Sequence, residues 1–351
     1  MLAGEWTEYH QAGRLRLALG DLAHLHDRCD LLFANLEVTL RGAGGVIEKQ
    51  PRLIGSPEAV GEALDILDLD VVNLSNNHAF DCLDSGFEAT CDLLSARPVG
   101  YFGAGKALES ASRPFVSEIR GIRVGWLGYT ALDTVPSHVA TATGYGVNPY
   151  EIERVLADIE ALNAAVHHVL VSVHWGVEFS NLPSPEQVRE SRNMIEAGAT
   201  AVLGHHAHVV QGVEGHLGGV IVYNLGNAVT TDLEIDGRLA IRQTQRSRSS
   251  FVMELRLSET KLLGYETKAF RFEKGRVTLD DPLAQRYLER ANAAIENGVS
   301  DAQWRQRRLY EDVILRAARK LDPRVIGSVR PAHVAKVFRN LVRAARGQGP
   351  A

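Results

Sequence analysis

Histidine, asparagine and carboxylate side chains recur directly after short apolar segments of this chain. They form five clusters, which are Asn35 with Glu37; Asn76, Asn77 and His78 with Asp81; His174 with Glu178; His205, His206 and His208; and Asn224 with Asn227. Imidazole suits zinc, iron and manganese, whereas carboxylate and amide oxygens suit harder cations. A mixture of these groups without cysteine predicts a site for two adjacent divalent ions.

Such a pair of ions performs hydrolytic chemistry. Two ions about 3.5–4 Å apart clamp the attacking and leaving oxygens of a displacement and activate water near neutral pH. A carboxylate between the ions balances their charge. A histidine beside them can protonate the leaving group when a second carboxylate orients it. The clusters therefore predict a metal-dependent hydrolase with manganese, zinc or iron as its cofactors.

Each cluster also has a structural alternative. A single histidine after a strand, such as His174, is commonly a packing or capping residue. Asparagine is favoured in the turns that cap helices, and Glu37 could pair with Arg41 at the surface. The three histidines within residues 205–208 are harder to explain as a surface turn, because so many imidazoles have little structural use. The five clusters together favour a site.

The segments before the clusters are predicted to be buried strands, because they are short, aliphatic or β-branched, and bounded by Gly, Asn or His. They span residues 31–34, 71–75, 124–129, 169–173, 201–203 and 220–223. Helical apolar spacing occurs between them at residues 57–67, 84–96, 148–163 and 184–198. This alternation predicts an α/β fold. The carboxyl ends of the strands would bring the clusters to one crevice.

The C-terminal third has a different pattern. Apolar and polar residues alternate at 250–257, 266–272 and 276–279, which predicts antiparallel strands of a second sheet. From residue 282 the pattern is helical, and beyond residue 303 twelve Arg and Lys face three acidic residues. Such a tail can contact an anionic surface or be a solvated helical face. We predict one domain over residues 1–281 and a basic helical extension over 282–351.

Composition narrows the class of protein. The 351 residues, 45% hydrophobic and 23% charged, are typical of a globular protein. A net charge of −5 gives no reason to expect a nucleic-acid or membrane partner. No apolar run reaches the roughly 20 residues of a membrane span. The N-terminus has no signal-peptide pattern, so the chain as written is expected to be cytoplasmic, with an envelope association if its true start lies upstream.

Six motifs occur in an order that is specific as a set. They are Asn35-Leu36-Glu37, Asn76-Asn77-His78 with Asp81, Gly103-Ala104-Gly105, His174-Trp175-Gly176-Val177-Glu178, the run from Gly204 to Gln211, and the run from Tyr223 to Asn227. This set resembles the CapA family of poly-γ-glutamate capsule biosynthesis proteins, within the calcineurin-like metallophosphatase superfamily. The resemblance implies a four-layer α/β/β/α sandwich with a dimetal centre. It also implies hydrolysis of phosphoester-type bonds in capsule or cell-envelope polymer biosynthesis, with an anionic polymer or a phosphoester as substrate.

The resemblance implies roles for single residues by position. Glu37 would lie near or between the metals, and His78 would be the general acid, held by Asp81. The other metal ligands would be Asn77, His174, His206 and His208, with His205 as a rival for His206. That rivalry exists because the Gly-His-x-His pattern fits the run in two registers. The substrate-binding residues would be Asn35, Glu178 and Asn227.

The N-terminus departs from the family pattern. The family opens with a strand that ends in Gly-Asp, whose Asp binds metal, whereas this chain begins Met-Leu-Ala-Gly and then Glu5. Glu5 would therefore replace the Asp after a truncated strand. Its extra methylene moves the carboxylate by about a bond length, which matters in a tight site. Either the true start lies upstream or one metal position is weakened.

Two other functions stay open. A metal pair polarises carbonyl and phosphoryl oxygens alike, so the bond attacked could be a γ-glutamyl amide. The altered N-terminus is also compatible with a non-catalytic, polymer-binding scaffold that keeps a degenerate metal site.

Overall fold

The computed structural model of the protein describes residues 5–135, 137–235 and 238–309. Its α-helices are α1 (Glu5–Gln11), α2 (Leu15–Leu19), α3 (Pro57–Leu67), α4 (Leu83–Ser95), α5 (Leu108–Ala111), α6 (Ile152–Asn163), α7 (Pro185–Glu196), α8 (Pro282–Glu296) and α9 (Asp301–Leu309). Within the described ranges, none of the helices combines the length and apolarity needed to cross a membrane.

The strands form two main layers and several short pairs. They are β1 (Phe33–Asn35), β2 (Thr39–Leu40), β3 (Ile54–Gly55), β4 (Val71–Asn73), β5 (Gly100–Phe102), β6 (Ala104–Gly105), β7 (Phe115–Ile119), β8 (Ile122–Thr130), β9 (Gly146–Val147), β10 (His168–His174), β11 (Ala201–His205), β12 (Gly212–His216), β13 (Gly219–Asn224), β14 (Leu233–Ile235), β15 (Arg238–Ile241), β16 (Ser249–Leu257), β17 (Leu262–Glu273) and β18 (Arg276–Leu279). The short pairs are β2 with β3, β6 with β9, and β14 with β15.

The first layer is a six-stranded sheet with the order β12-β13-β11-β10-β8-β7. Its four central strands are parallel, and β12 and β7 run antiparallel at the two edges. Strand β10 is buried along its whole length, as expected for a parallel strand covered on both faces. His174 lies opposite His205 and Thr130 in the register, so the central strands end at one edge of the sheet.

The second layer contains two three-stranded sheets. The parallel sheet has the order β1-β4-β5, with Asn35 opposite Asn73. The antiparallel sheet has the order β16-β17-β18 and confirms the second sheet predicted from the alternating C-terminal pattern.

The apolar core has three parts, and these show how the layers stack. Val171 faces α6 and α7 on one side of the six-stranded sheet. The neighbouring Leu170 points to the other side and packs in one cluster with Val71 of the parallel sheet. Val72, on the opposite face of that sheet, packs with α2, α3 and α4. The predicted α/β/β/α sandwich is confirmed.

Helix α8 closes the core at one side. Asp281 caps its first turn by accepting hydrogen bonds from two backbone N–H groups, and Pro282 occupies the first helical position. Leu288 packs in the cluster between the layers, whereas Ile295 packs in the cluster beneath α7. The helical prediction from residue 282 is confirmed as far as Leu309, and α8 is part of the core. The rest of the predicted extension lies outside the described residues.

The N-terminal segment is helical, where the resemblance implied the end of a strand. Glu5 begins α1, and Trp6 is fully buried between the rings of Tyr9 and Phe272, with centroid distances of 5.4 and 5.5 Å. Aromatic packing of this kind fixes the helix on the antiparallel sheet. The side chain of Glu5 lies outside the described part of the structure, so its role as a metal ligand stays a prediction.

Candidate metal centre

Glu37 presents one carboxylate oxygen to three imidazoles. Its Oε1 lies 3.8 Å from Nε2 of His208, 3.9 Å from Nε2 of His174 and 4.0 Å from Nε2 of His78. All four side chains are buried, and Glu37 Oε1 has no hydrogen-bond partner among the described residues. A buried carboxylate oxygen is costly unless a donor or a cation compensates it. Nε2 of His174 and Nε2 of His208 are therefore suited to share a cation with this oxygen, and His78 Nε2 lies beside them.

Two more donors meet at the imidazole of His174. Nδ1 of His206 lies 3.1 Å from Nε2 of His174, and Oδ1 of Asn77 lies 2.9 Å from that nitrogen. The structure therefore brings together four of the residues that the resemblance implied as ligands with Glu37, although they come from three separate parts of the chain.

The backbone of residues 205–208 is strained. His206 and His208 have positive φ angles of 93° and 59°, which residues other than glycine seldom adopt and which cost of order 1–3 kcal/mol each. This conformation turns the chain sharply at the end of β11. As a result, His206 faces His174 while His208 faces Glu37.

Gly204 allows the close packing that positions this turn. A Cβ atom at residue 204 would lie 1.9 Å from the carbonyl oxygen of Tyr223 on β13. Only glycine fits there without separating the two strands. The glycine before the histidine run is thus required by the sheet itself.

Asn227 determines which nitrogen of His208 is available. The Nδ2 group of Asn227 donates to the carbonyl oxygens of Ser247 and His208, at 2.9 and 3.3 Å. Its Oδ1 must then be the acceptor that lies 2.9 Å from His208 Nδ1. His208 therefore carries its proton on Nδ1 and offers Nε2 as a free ligand. The predicted substrate contact of Asn227 stays untested, and its amide is already engaged within the protein.

His78 is held by Asp81 as the resemblance implied. Nδ1 of His78 lies 2.6 Å from Oδ2 of Asp81, which is fully buried. The backbone N–H of Leu53 donates to the same oxygen at 2.7 Å, and Lys49 Nζ lies 2.7 Å from the other oxygen. The carboxylate fixes the ring so that Nε2 points towards Glu37.

Asn35 holds the second oxygen of Glu37. Its Nδ2 donates to Glu37 Oε2 at 3.4 Å, and its Oδ1 accepts a hydrogen bond from Asn73 Nδ2 at 3.1 Å. Asn35 thus orients the acid from within the protein, and its predicted contact with substrate is not tested. Asn73 is fully buried inside β4, and no sequence motif points to it, because nothing marks an asparagine within a strand as part of a site.

Burial lowers the pKa of three histidines at the centre, which are His174, His205 and His206. It lowers the pKa of His205 and of His206 to about 4, with the Glu178 carboxylate opposing the shift at His206. Burial also holds the pKa of His174 well below its usual value, and the neighbouring imidazoles act in the same direction. These three rings are therefore neutral at pH 7, which is the form that binds metal ions.

The two registers of the histidine run differ in their contacts. His206 meets His174, whereas the His205 ring lies 6.2 Å from the ring of Phe33 and its Nε2 has no hydrogen-bond partner among the described residues. The contacts favour His206 as the ligand in this register, and both assignments stay predictions. Glu178 is half-buried close to His206, and its predicted role as a substrate contact is likewise untested.

The donor set fits a divalent ion only after a small adjustment. As the side chains stand, no three His, Cys, Asp or Glu within residues 5–135, 137–235 and 238–309 are arranged to hold a metal ion. Two donors on one tetrahedral ion with bonds of about 2.1 Å lie about 3.4 Å apart, and the distances from Glu37 Oε1 exceed this by only a few tenths of an ångström. The unpartnered Oε1 and the neutral imidazoles suit a cation, and small side-chain rotations would close a gap of this size.

The part of the chain that contains the candidate metal centre is similar to known proteins. The sequence model of the family described as "Bacterial capsule synthesis protein PGA_cap" matches residues 1–232, which include every cluster of the candidate centre. This chain belongs to that family. The region that matches the family contains the residues that converge around Glu37.

Curated relatives agree with this assignment. The chain is 32% identical to the capsule biosynthesis protein CapA of Bacillus anthracis over 182 residues, which are 50% of this chain and 44% of the relative. It is 31% identical to the PGA biosynthesis protein CapA of Bacillus subtilis over 183 residues, which are 52% and 48% of the two chains. The match thus spans about half the length of these relatives.

Among solved structures, a hypothetical protein from Thermus thermophilus aligns over 74% of this chain and 95% of its own, with 16% identity and a TM-score of 0.44. The sequence match over residues 1–232 shows the family, and the stacked sheets with the three-part core show the fold.

Proposed function

We propose that this protein is a metal-dependent hydrolase of phosphoester-type bonds with two divalent ions of manganese, zinc or iron, acting in the biosynthesis of an anionic capsule polymer such as poly-γ-glutamate. The observation that carries the proposal is the approach of three imidazole Nε2 atoms to the unpartnered Oε1 of Glu37. Divalent ions bound there would supply Lewis acidity towards a phosphoryl oxygen.

The protein's own residues would bind the ions, donate a proton and contact the substrate. The residues that would hold the ions are Glu37, Asn77, His174, His206 and His208. His78 would deliver a proton from Nε2 to the leaving oxygen, because Asp81 fixes its Nδ1 and prevents the ring from rotating. Glu178, which is half-buried beside His206, would contact the substrate.

The link to an anionic polymer is supported by the family and by the names of the relatives. Besides the two capsule proteins, a probable polyglutamine synthesis accessory protein of Mycobacterium tuberculosis is 26% identical over 227 residues, which are 62% of this chain and 60% of the relative. A polymer intermediate with a phosphoester, or the polymer itself, is the substrate that we propose.

The test combines metal analysis with turnover. Purified protein is analysed for bound metal and assayed on bis(p-nitrophenyl) phosphate with Mn²⁺ or Zn²⁺. We expect bound metal and metal-dependent turnover, and we expect both to be lost in the double variant His206→Ala, His208→Ala. His168→Gln is the matched control, since His168 is a buried histidine on β10 whose two ring nitrogens bond to Thr200 and Ser258.

Other outcomes would decide against the proposal. A protein that holds no metal, or a double variant that keeps its rate, overturns it. Release of glutamate from poly-γ-glutamate without phosphodiesterase activity would instead support attack on a γ-glutamyl amide. Polymer binding by a metal-loaded protein that turns over neither substrate would support a scaffold.

A further inference from the structure

The buried carboxylate of Asp81 depends on a residue outside the predicted motifs. Its Oδ2 is occupied by His78 Nδ1 and by the backbone N–H of Leu53. Its Oδ1 has no hydrogen bond of regular geometry among the described residues, and the Lys49 ammonium lies 2.7 Å from it. Lys49 therefore supplies the positive charge that compensates this oxygen.

The same ammonium reaches a second part of the centre. Lys49 Nζ donates a hydrogen bond to the main-chain oxygen of Asn77, whose side-chain Oδ1 faces His174. The Lys49 side chain is only 15% exposed. One cation thus joins the carboxylate that orients His78 to the backbone that carries Asn77.

The segment that carries Lys49 is anchored on Asp81 as well. The backbone N–H of Ile47 donates to the main-chain oxygen of Asp81 at 3.1 Å, and Arg52 donates to the carbonyl oxygen of Ile47 at 3.1 Å. With the Leu53 N–H on the Asp81 carboxylate, residues 47–53 form a strap around this side chain. The strap fixes where the ammonium lies.

We propose that Lys49 is a positioning residue of this site. By holding the Asp81 carboxylate and the Asn77 main chain together, its ammonium directs His78 Nε2 towards Glu37 and Asn77 Oδ1 towards His174. The catalytic consequence rests on the proposed hydrolase function, whereas the effect on the His78 ring can be measured without turnover.

The kinetic test uses three variants. Lys49→Met keeps the apolar stem and removes the charge, Lys49→Arg keeps the charge in a larger head, and Lys268→Met is the control. Lys268 is 21% exposed and pairs at 3.2 Å with Glu254, which lies away from the site, so it resembles Lys49 in its own burial and in having a carboxylate partner. On bis(p-nitrophenyl) phosphate with Mn²⁺, we expect Lys49→Met to lower kcat about 10–100-fold with KM changed less than about twofold. Lys49→Arg should recover most of kcat, and Lys268→Met should leave it unchanged.

The second measurement follows the His78 ring directly. In protein labelled with ¹⁵N-histidine, the Nδ1–H signal of His78 is assigned by its disappearance in His78→Gln. We expect Lys49→Met to shift or broaden this signal, and we expect Lys49→Arg and Lys268→Met to retain it. If Lys49→Met does not fold, Lys49→Gln, which also removes the charge, replaces it in both experiments.

The two measurements distinguish the positioning role of Lys49 from the proposed hydrolase function. A folded, uncharged variant with the wild-type His78 signal overturns the positioning role, whatever its kcat. An altered His78 signal in a protein whose wild type shows no turnover would support the positioning role and count against the hydrolase. A variant with both a normal signal and a normal kcat would show that Lys49 has only a structural contact.

Discussion

At the scale of the residue, the amide of Asn227 is expected to tune metal affinity through His208. Asn227→Leu removes the acceptor for His208 Nδ1 and both donations to backbone carbonyls. The outer partners of a ligating histidine commonly contribute 10–100-fold to affinity. We therefore expect Asn227→Leu to weaken Mn²⁺ binding about 10–100-fold in calorimetric titrations.

A suitable control changes an asparagine elsewhere. Asn297, at the end of α8, bonds to the carbonyl oxygen of Ala293 and lies on the surface. Asn297→Leu should bind Mn²⁺ like the wild type. Equal affinities for the wild type and Asn227→Leu would show that His208 needs no such support.

The buried histidines also predict how the metal-free protein responds to pH. The pKa values of His205 and His206 are about 4 in the folded state and about 6.5 when unfolded. Between these values the unfolded chain binds more protons, so the free energy of unfolding falls as pH falls from about 6.5 to about 4. Each group contributes up to about 1.4 kcal/mol per pH unit.

Urea titrations of metal-free protein between pH 7 and pH 5 measure this effect. The midpoint should fall with pH, and His206→Gln should reduce the slope. A midpoint that does not change over this range would mean that the rings are not buried in their neutral form.

At the scale of the element, the strands could be predicted from the sequence, but the contacts that hold the site residues in place could not. The six strands predicted to precede the clusters each fall on an observed strand, because buried parallel strands are continuous apolar runs. The Ser56 and Ser184 caps set the starts of α3 and α7 close to the prediction. Helix α6 begins at Ile152, four residues later than predicted, because Tyr150 N–H and Pro149 pair with Thr130 and extend the sheet.

Contacts distant in sequence account for what was missed at the site. Two strands and a helix separate Lys49 from its partner Asp81 in the chain, and no local pattern marks a lone lysine as part of a site. Away from the site, one local element was also missed. The short strand β7 forms a hairpin with β8, and it was not predicted because its polar residues interrupt the apolar pattern.

Gly204 offers a test of how closely the strands must approach. In Gly204→Ala the new methyl group would overlap the carbonyl of Tyr223, so β11 and β13 must separate. We expect a loss of about 1–3 kcal/mol in the free energy of unfolding, measured with urea. Gly264→Ala is the control, because its Cβ would meet only the end of the Arg256 side chain, at 3.4 Å. Equal stabilities of the two variants would contradict the close approach.

At the scale of the whole molecule, the candidate ligands come from both β layers. Glu37 and Asn77 follow strands of the parallel three-stranded sheet. In the six-stranded sheet, His174 is the last residue of β10, and His206 and His208 follow β11. A cation bound between them would connect the layers and stabilise the folded state by mass action.

Thermal unfolding should therefore depend on metal. At a free Mn²⁺ concentration of about 100 times its Kd, the folded state gains about 2.7 kcal/mol, which corresponds to a rise in Tm of about 5 °C for a domain of this size. His174→Gln should abolish the rise and His168→Gln should keep it, as measured by scanning calorimetry. An equal rise in both variants would place the ion elsewhere.

The order in which the donors occur along the chain has a consequence for synthesis in the cell. Asn35 and Glu37 leave the ribosome first, and the support for His208 is complete only once Asn227 has emerged and β13 has docked beside β11. A nascent or truncated polypeptide that ends before β13 would lack the strand beside β11 and the Asn227 side chain that holds His208. Metal acquisition would then mark the completion of folding, and immature chains would not compete for the cell's manganese or zinc.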